Sequence, residues 1–298
     1  MSLFNNISRF FDNGVAEKTN VHEDLLRSLL VMAWMVEARD PYTGGHLWRV
    51  SRFSHLLASE SGLPDADVAR IALGGFLHDL GKIGVPDHIL NKTGKLTDEE
   101  YAVIKTHPEV GWRTLAGHPL AGLAEVAIRS HHETPNGKGY PKGLSGSDIP
   151  VDARIVGICD AFDAMTSTRP YRREMPIKKA LAIIEENLGS QFDRDFGERF
   201  LALGAADQLD HIVGHSDAGI PLHECVMCGP TLVLRKGQVA GEHVYCRNCT
   251  GEYLVEDKEG LLVTTPTQRM GSAEDLEPEV DTDLIARVVR ESARALLL

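Results

Sequence analysis

The spacing of apolar residues predicts helices over most of the chain. From Val21 to about Leu203 apolar side chains recur every three or four positions, which aligns them on one face of a helix. No convincing alternation of apolar and polar residues interrupts this pattern. We therefore predict a mainly α fold, a helical bundle of seven or eight helices over residues 21–204. Residues typical of helix starts support it: Asp65, Thr97 with Glu100 as a capping box, Pro176 and Asp193.

After Gly204 the pattern changes. Short runs of β-type residues, TLVLRK, HVYC, EYLV and LLVTT, are separated by turn residues. They predict a small β module over 222–263, joined to the bundle by a linker at 205–221. Residues 264–283 are polar and acidic, which predicts a disordered linker. Residues 284–298 predict an amphipathic helix, and we favour its docking on the protein's own core. Residues 1–20 form an N-terminal segment.

Charge and apolar content exclude several classes of function. The chain has 298 residues and a formal charge of −12, which argues against a protein that holds nucleic acid by neutralising its phosphates. The longest apolar run, LLVMAWMV at 29–36, is too short to span a membrane. The N-terminus lacks the continuous apolar stretch of a secretory signal. We therefore predict a cytoplasmic location, without nucleic-acid or membrane binding.

Histidine and aspartate residues at or near predicted helix ends are candidate metal ligands. In FLHDLGKIG the pair His78 and Asp79 ends an apolar helix, where a buried acid beside an imidazole is costly unless a cation compensates both. His107 precedes a proline that distorts the helix. Asp160 is an acid on a mostly apolar helix. The full set of candidates is His46, His78, Asp79, His107, His131, His132 and Asp160.

Five imidazoles and two carboxylates are more donors than one ion needs. Two ions bridged by one carboxylate would use them all, and Asp79 is the natural bridge. It would bind one ion together with His46, His78 and Asp160, and the other ion together with His107, His131 and His132. Mixed nitrogen and oxygen ligands suit iron or manganese, and they leave positions open for water, as hydrolytic two-metal sites require.

Four of the five cysteines form two close pairs in the β module. Seventeen residues separate the two Cys-x-x-Cys motifs, a spacing typical of a four-cysteine zinc site. A module of about 40 residues also needs a metal or a similar staple to fold. We therefore predict one structural zinc in a zinc-ribbon-like module, bound by Cys225, Cys228, Cys246 and Cys249.

From His46 to Arg173, and more weakly to Leu203, the chain contains an ordered series of motifs. They are ARDPYTGGHLWRV, FLHDLGKIGVPDHIL, KTHPEVG, HHE with GKGYPKGL, IPVDARIVGICDAFDAMTSTRPYR and FDRDFGERF. In this series the chain resembles the HD-GYP family, cyclic dinucleotide phosphodiesterases of the HD phosphohydrolase superfamily. The family's metal ligands match the seven candidates above.

The resemblance also implies roles for further residues. Lys82 matches the residue that approaches the scissile phosphate, and Arg169 and Arg172 match residues that contact the dinucleotide. The substrate loop matches Gly139, Tyr140 and Pro141. The implied reaction is hydrolysis of cyclic di-GMP to linear pGpG, with GMP as a further product left open. The acid that protonates the leaving oxygen is not assigned by sequence, and Asp163 and metal-bound water are both candidates.

Two departures from the family pattern affect these expectations. Members with three metals carry a glutamate where this chain has Tyr42, so we expect two ions. The family loop usually has Asp-Gly before its GYP, whereas this chain has Asn136-Gly137, which puts substrate preference in doubt. The alternatives are a phosphodiesterase for a mixed cyclic GMP-AMP dinucleotide and a receptor that binds a cyclic dinucleotide without cutting it. A protein partner for the zinc ribbon and a homodimer are also left open.

Overall fold

The computed structural model describes residues 21–39, 44–168 and 173–297. Within these residues the chain is mainly helical up to Ala205 and contains small antiparallel sheets after it, which confirms the predicted fold class. The helices of the first part are α1 (Val21–Glu37), α2 (His46–Glu60), α3 (Asp65–Leu77), α4 (Asp87–Leu90), α5 (Asp98–Ile104), α6 (His107–Leu115), α7 (Glu125–Ser130), α8 (Val151–Thr166), α9 (Ile177–Glu186) and α10 (Arg194–Ala205).

The helix starts follow from local side chains. Thr97 caps α5 and forms the predicted capping box with Glu100, in which each side chain accepts a hydrogen bond from the other residue's backbone N–H. Asp193 caps α10 by accepting from the backbone N–H of Phe196. Pro176 precedes α9, where its missing N–H costs nothing.

Two apolar clusters fill the helical part. One lies between α2, α8, α9 and α10 and includes a trio of buried rings, Phe53, Phe162 and Phe200, whose centroids are 4.9–6.2 Å apart. The other lies between α1, α3 and α7. These clusters hold the helix ends that carry the candidate ligands.

The C-terminal helix α11 (Thr282–Leu296) completes the second cluster. Its apolar face buries Leu284, Ile285 and Val289 against the bundle, where it packs on α1 and α3. The helix predicted at 284–298 thus packs its apolar face on the bundle, while Leu297 is exposed and Leu298 lies outside the described residues.

The strands form three small antiparallel sheets. β1 (His215–Asp217) pairs with β2 (Ile220–Pro221), and β3 (His223–Cys225) pairs with β4 (Gly229–Leu232). The third sheet has the order β5, β6 and β7, with bounds His243–Tyr245, Gly251–Lys258 and Leu261–Met270. A separate apolar cluster lies between the second and third sheets.

Two ranges differ from their sequence predictions. Residues 264–270, predicted as the start of a disordered linker, continue β7: Thr264 and Thr265 end the β-type run LLVTT, and beyond it Pro266 and Met270 pair with Tyr253 and Gly251 of β6. In the predicted linker at 205–221, the fully buried Leu209 joins the helical core and the β1–β2 hairpin contacts α2. In the parts of the chain that the structure describes, no helix is both long and apolar enough to cross a membrane.

The ring trio provides a test of the core. Replacing Phe53 by alanine should lower the free energy of unfolding by about 3–5 kcal/mol, because it leaves a cavity between two rings. Urea unfolding followed by helical circular dichroism measures this change. The control is Met35→Ala on the exposed side of α1, with an expected change of about 0.5 kcal/mol or less. A loss below about 1 kcal/mol for Phe53→Ala would contradict the packing described.

Candidate functional site

The seven candidate ligands converge from five helices. His46 is the first residue of α2 and His107 the first of α6. His78 caps the end of α3 and His131 the end of α7, each followed by another candidate, while Asp160 lies within α8. Helix ends project side chains past the last packed turn, so several helices can present ligands to one point.

Two glycines allow the backbone to close around this point. A Cβ on Gly81 would lie 1.7 Å from the carbonyl oxygen of His107, and a Cβ on Gly157 would lie 2.7 Å from that of His131. Only glycine permits such an approach. The segment after Asp79 and helix α8 can therefore approach the two histidine-bearing helices directly.

The first group of ligands surrounds one oxygen of Asp79. Its Oδ2 lies 3.4 Å from Nε2 of His46 and 3.3 Å from Nε2 of His78. Oδ1 of Asp160 lies 3.5 Å and 3.6 Å from the same two nitrogens. These atoms could hold one metal ion between two imidazoles and two carboxylates.

The second group faces the other oxygen of Asp79. Its Oδ1 lies 3.6 Å from Nε2 of His107, and His107, His131 and His132 offer nitrogens within 4.8 Å of one another. The two oxygens of one buried carboxylate thus point to two separate groups of imidazoles. This is the arrangement expected of a bridging ligand. A further set of donors at the same spacing, His78, His131 and Asp160, connects the two groups.

The hydrogen bonds of the imidazoles fit a metal site. Nδ1 of His78, His107 and His131 each lies 2.7–2.8 Å from a backbone carbonyl oxygen. Because a carbonyl only accepts, each Nδ1 must carry a proton, which leaves a lone pair on Nε2 when the ring is neutral. Yet Nε2 of His107 faces Nε2 of His131 at 3.2 Å. Nε2 of His78 is buried and forms no hydrogen bond with any described residue. A bound cation would satisfy all three lone pairs.

The charges of the site also favour a cation. Burial lowers the pKa of His107, His131 and His132, that of His132 to about 3, so these rings are neutral ligands. Burial would also lower the pKa of His78, but the carboxylates of Asp79 and Asp160 raise it to about 10. The two acids therefore hold a positive charge at this point. A divalent metal can take the place of that proton.

Asp163 lies behind this site, on the far side of His46 from Asp79. It is fully buried, and its Oδ2 accepts a hydrogen bond from Nδ1 of His46 at 2.8 Å. Burial would raise its pKa, but the guanidinium of Arg49 and the imidazole of His46 hold the pKa far below its usual value. An acid held ionised in this way is a poor proton donor. The structure therefore favours a role for Asp163 in orienting His46 over the proton-donor role considered from the sequence.

Lys82 is the cation beside the first group. Its Nζ lies 2.6 Å from Oδ2 of Asp79. Burial would raise the pKa of Asp79, but Lys82 and His78 hold it well below its usual value. Lys82 is partly exposed and lies where a phosphate beside Asp79 would need a counter-charge.

The loop after His132 is held in place by an acid that sequence reasoning left without a role. Glu133 is buried, and its carboxylate accepts backbone N–H groups of Lys142 and Leu144 at 2.7 and 2.9 Å. Asn136 accepts from the backbone N–H of Lys138 at 3.0 Å, which supports the turn expected of it. The ring of Tyr140 stacks on His132, with centroids 4.6 Å apart. The loop thus places Tyr140 in contact with the second group of candidate ligands.

A cleft of about 300 Å³ opens beside these residues. Gly139 and Tyr140 line it together with His131, His132 and Asp160, so the structure brings these predicted site residues together. Among the polar residues of its wall that sequence reasoning missed, Tyr101, Arg154 and Gln191 come from distant elements, whereas Lys138 belongs to the loop itself. The cleft lining does not include Pro141 or Lys82. Tyr42, Arg169 and Arg172 lie outside the described residues.

The four cysteines of the β module also meet. Their sulfurs lie within 4.8 Å of one another, and all four are free thiols. The amide of Asn248 donates to Sγ of Cys228, and the hydroxyl of Tyr253 donates to Sγ of Cys225. Donors aimed at sulfur stabilise thiolates, the form that binds metal. The remaining cysteine, Cys159, is fully buried in the helical core.

Comparison with known proteins identifies the helical part. Residues 30–196, more than half of the chain, match the HD domain family. The chain is 40% identical over 186 residues to a cyclic di-GMP phosphodiesterase of Thermotoga maritima, covering 61% of this chain and 50% of that protein. It is 40% identical over 203 residues to the cyclic di-GMP phosphodiesterase response regulator RpfG of Xanthomonas campestris, covering 67% and 53%.

A third relative carries a different substrate in its name. The chain is 42% identical over 176 residues to 3′3′-cGAMP-specific phosphodiesterase 3 of Vibrio cholerae, covering 59% of this chain and 37% of that protein. The chain spans about half the length of the first two relatives. The match lies over the candidate ligands and stops before the cysteine module. The family prediction from the sequence is confirmed, and the chain belongs to the HD domain family.

Proposed function

We propose that this protein is a metal-dependent phosphodiesterase that hydrolyses cyclic di-GMP. One observation carries the proposal: the two oxygens of the buried Asp79 carboxylate face separate groups of imidazoles, and the candidate ligands His131, His132 and Asp160 line an open cleft. Such an arrangement suits two ions that act together on one phosphodiester. Three relatives named as cyclic dinucleotide phosphodiesterases support the substrate class.

The residues divide between two ions as the sequence predicted. His46, His78 and Asp160 would hold the first and His107, His131 and His132 the second, with Asp79 shared. Iron or manganese suits this mixed donor set. When bound, the ions would acidify a water into a nucleophile and offset the charge that develops on the phosphoryl oxygens. We propose two ions and not three.

The surrounding residues would hold and orient the substrate. Lys82 would contact the scissile phosphate, because its ammonium already lies beside Asp79. Tyr140 would position the dinucleotide from its place on His132, while Gly139 and Pro141 shape the loop. Arg169 and Arg172 would clamp phosphates or guanines. With Asp163 held ionised behind His46, the proton for the leaving oxygen would come from water.

The product would be linear pGpG, with GMP after a second cut. The Vibrio cholerae relative favours one alternative substrate, the mixed cyclic GMP-AMP dinucleotide. A receptor that binds without turnover is the rival from another class, and an intact two-metal donor set argues against it. A cytoplasmic location, a protein partner of the ribbon and a homodimer stay predictions.

Metal analysis tests the ligand sets. Protein loaded with Mn²⁺ after removal of resident metal should bind two Mn²⁺ per chain at the histidine site. His132→Ala should weaken only one of them, whereas Asp79→Asn should weaken both, because Asp79 faces both groups. His88→Ala, at an exposed imidazole, is the control and should bind as the wild type does. If His132→Ala lost both ions equally, the proposed division of the ligands between two ions would be wrong.

Turnover tests the proposed reaction. Protein purified without oxygen and loaded with Fe²⁺ or Mn²⁺ should convert cyclic di-GMP to pGpG, followed by chromatography. Asp79→Ala should lower kcat by more than about 100-fold, because even residues behind metal ligands contribute 10–100-fold. Parallel reactions with 3′3′-cGAMP rank the two substrates. If protein with two bound Mn²⁺ cuts neither cyclic di-GMP nor cGAMP, the proposed reaction is wrong and the receptor hypothesis is favoured.

We also propose that the four cysteines hold one structural zinc. The purified protein should contain one zinc per chain in addition to its active-site metals. Cys246→Ser should lose it, because the serine hydroxyl does not replace a thiolate, while Cys159→Ala in the helical core should retain it. Elemental analysis of the three proteins gives the answer. A Cys246→Ser protein with full zinc content would rule out the site.

A further inference from the structure

The guanidinium of Arg49 is buried and uses its whole hydrogen-bonding capacity. Arginine has five N–H donors in a fixed plane. Nε and Nη2 donate to the two oxygens of Asp163 at 2.5 and 3.1 Å, and Nη2 also donates to the hydroxyl of Ser167 at 3.1 Å. Nη1 donates to the carbonyl oxygens of Gly44 and His215 at 2.7 and 2.9 Å. A guanidinium whose five N–H groups all donate hydrogen bonds holds each of its acceptor groups in a fixed position.

Three of these bonds, two to Asp163 and one to Gly44, act on the candidate ligand His46. Asp163, held by the fork, accepts from Nδ1 of His46 and so points its Nε2 toward Asp79. The bond to Gly44 fixes the backbone two residues before His46. The orientation of this imidazole and the position of its backbone therefore both depend on Arg49.

The fifth bond ties Arg49 to the C-terminal part of the chain. His215 begins β1, which follows the helical domain and precedes the cysteine module. The C-terminal part of the chain packs closely on the turn before α2. A Cβ on Gly45 would lie 2.6 Å from Cα of Ser216, and one on Gly44 would lie 2.6 Å from Cγ2 of Val233. The C-terminal strands thus pack directly on the turn that leads to His46.

Arg247 adds a second contact between the C-terminal part of the chain and the helical domain. The guanidinium of Arg247, between two zinc-ligand candidates, lies 5.9 Å from the ring centroid of Trp34 and donates to the carbonyl oxygen of Ala38. The module therefore contacts the end of α1 as well as the start of α2. Both contacts flank the same connection, the one that precedes His46.

We propose that Arg49 is a positioning residue through which the C-terminal strands hold His46 in place for metal binding. The cysteine module is then a support of the first metal site and not only an attachment for partners. The inference rests on the proposed function for the metal site, but it concerns metal affinity and not the identity of the substrate.

Manganese binding to Arg49 variants tests this role. Arg49→Met should weaken one of the two Mn²⁺ ions by about 10–100-fold and leave the other unchanged, as expected for a residue behind a metal ligand. Arg49→Lys keeps the charge but loses the planar fork, so it should weaken the same ion. Arg52→Met is the control: it removes a partly exposed arginine one turn away on α2, which pairs with Glu291 and not with Asp163, and should bind both ions normally. Folded Arg49→Met protein with wild-type affinity for both ions would overturn the proposal.

A second pair of variants decides the question if Arg49→Met does not fold. Gly44→Ala adds a Cβ against Val233 and should weaken the same ion by about 10-fold. Val233→Ala in that background removes the opposing methyl group and should restore the affinity to within about 3-fold of the wild type, since contacting residues couple. Wild-type affinity in the single variant, or no recovery in the double variant, would overturn the role of the strands.

Turnover separates this inference from the proposed function. In the variants that lose the ion, kcat at limiting Mn²⁺ should fall, while the KM for cyclic di-GMP changes by less than about 3-fold. If wild-type protein binds two Mn²⁺ but cuts no cyclic dinucleotide, the proposed reaction fails and the positioning role of Arg49 still stands on the binding data.

Discussion

The structure depends on one electrostatic constraint, the gathering of two carboxylates and five imidazoles, most of them buried, at the meeting point of the helices. Such a cluster is costly in a protein interior unless a positive charge compensates it. The raised pKa of His78 and the facing lone pairs of His107 and His131 point to that missing charge. Asp79 shares its two oxygens between the two groups and so defines the centre. Four helices reach this centre with their ends, and α8 reaches it with Asp160 from its interior.

Much of this arrangement could be predicted from the sequence, because the signals are local. Apolar spacing predicts the helices, and a histidine beside an acid at the end of an apolar helix predicts a cation. The role of Glu133 could not be predicted in this way, since it depends on two N–H groups nine and eleven residues later. The wall of the cleft could not be predicted for the same reason, because Tyr101 and Arg154 are far apart in sequence and line one cleft only in the folded chain.

The C-terminal half shows where local patterns mislead. The part of β7 after the β-type run LLVTT looks like a polar linker, yet Pro266 and Met270 pair with Tyr253 and Gly251 of β6. The β1–β2 hairpin is too short to give a periodic signal, and its importance comes from one carbonyl oxygen that accepts from Arg49. A residue such as Asp163 looks like a candidate acid from its position one turn after Asp160. Only its contacts with Arg49 and His46 show that it is held ionised.

The most direct test of the account is whether two ions bind as a bridged pair. Electron paramagnetic resonance of protein loaded with two Mn²⁺ reports this, because ions about 3.5–4 Å apart are magnetically coupled. The account predicts a coupled spectrum in the wild type, which changes to that of isolated ions in Asp79→Asn under the same loading. Two fully bound but uncoupled Mn²⁺ ions in the wild type would contradict the shared role of Asp79.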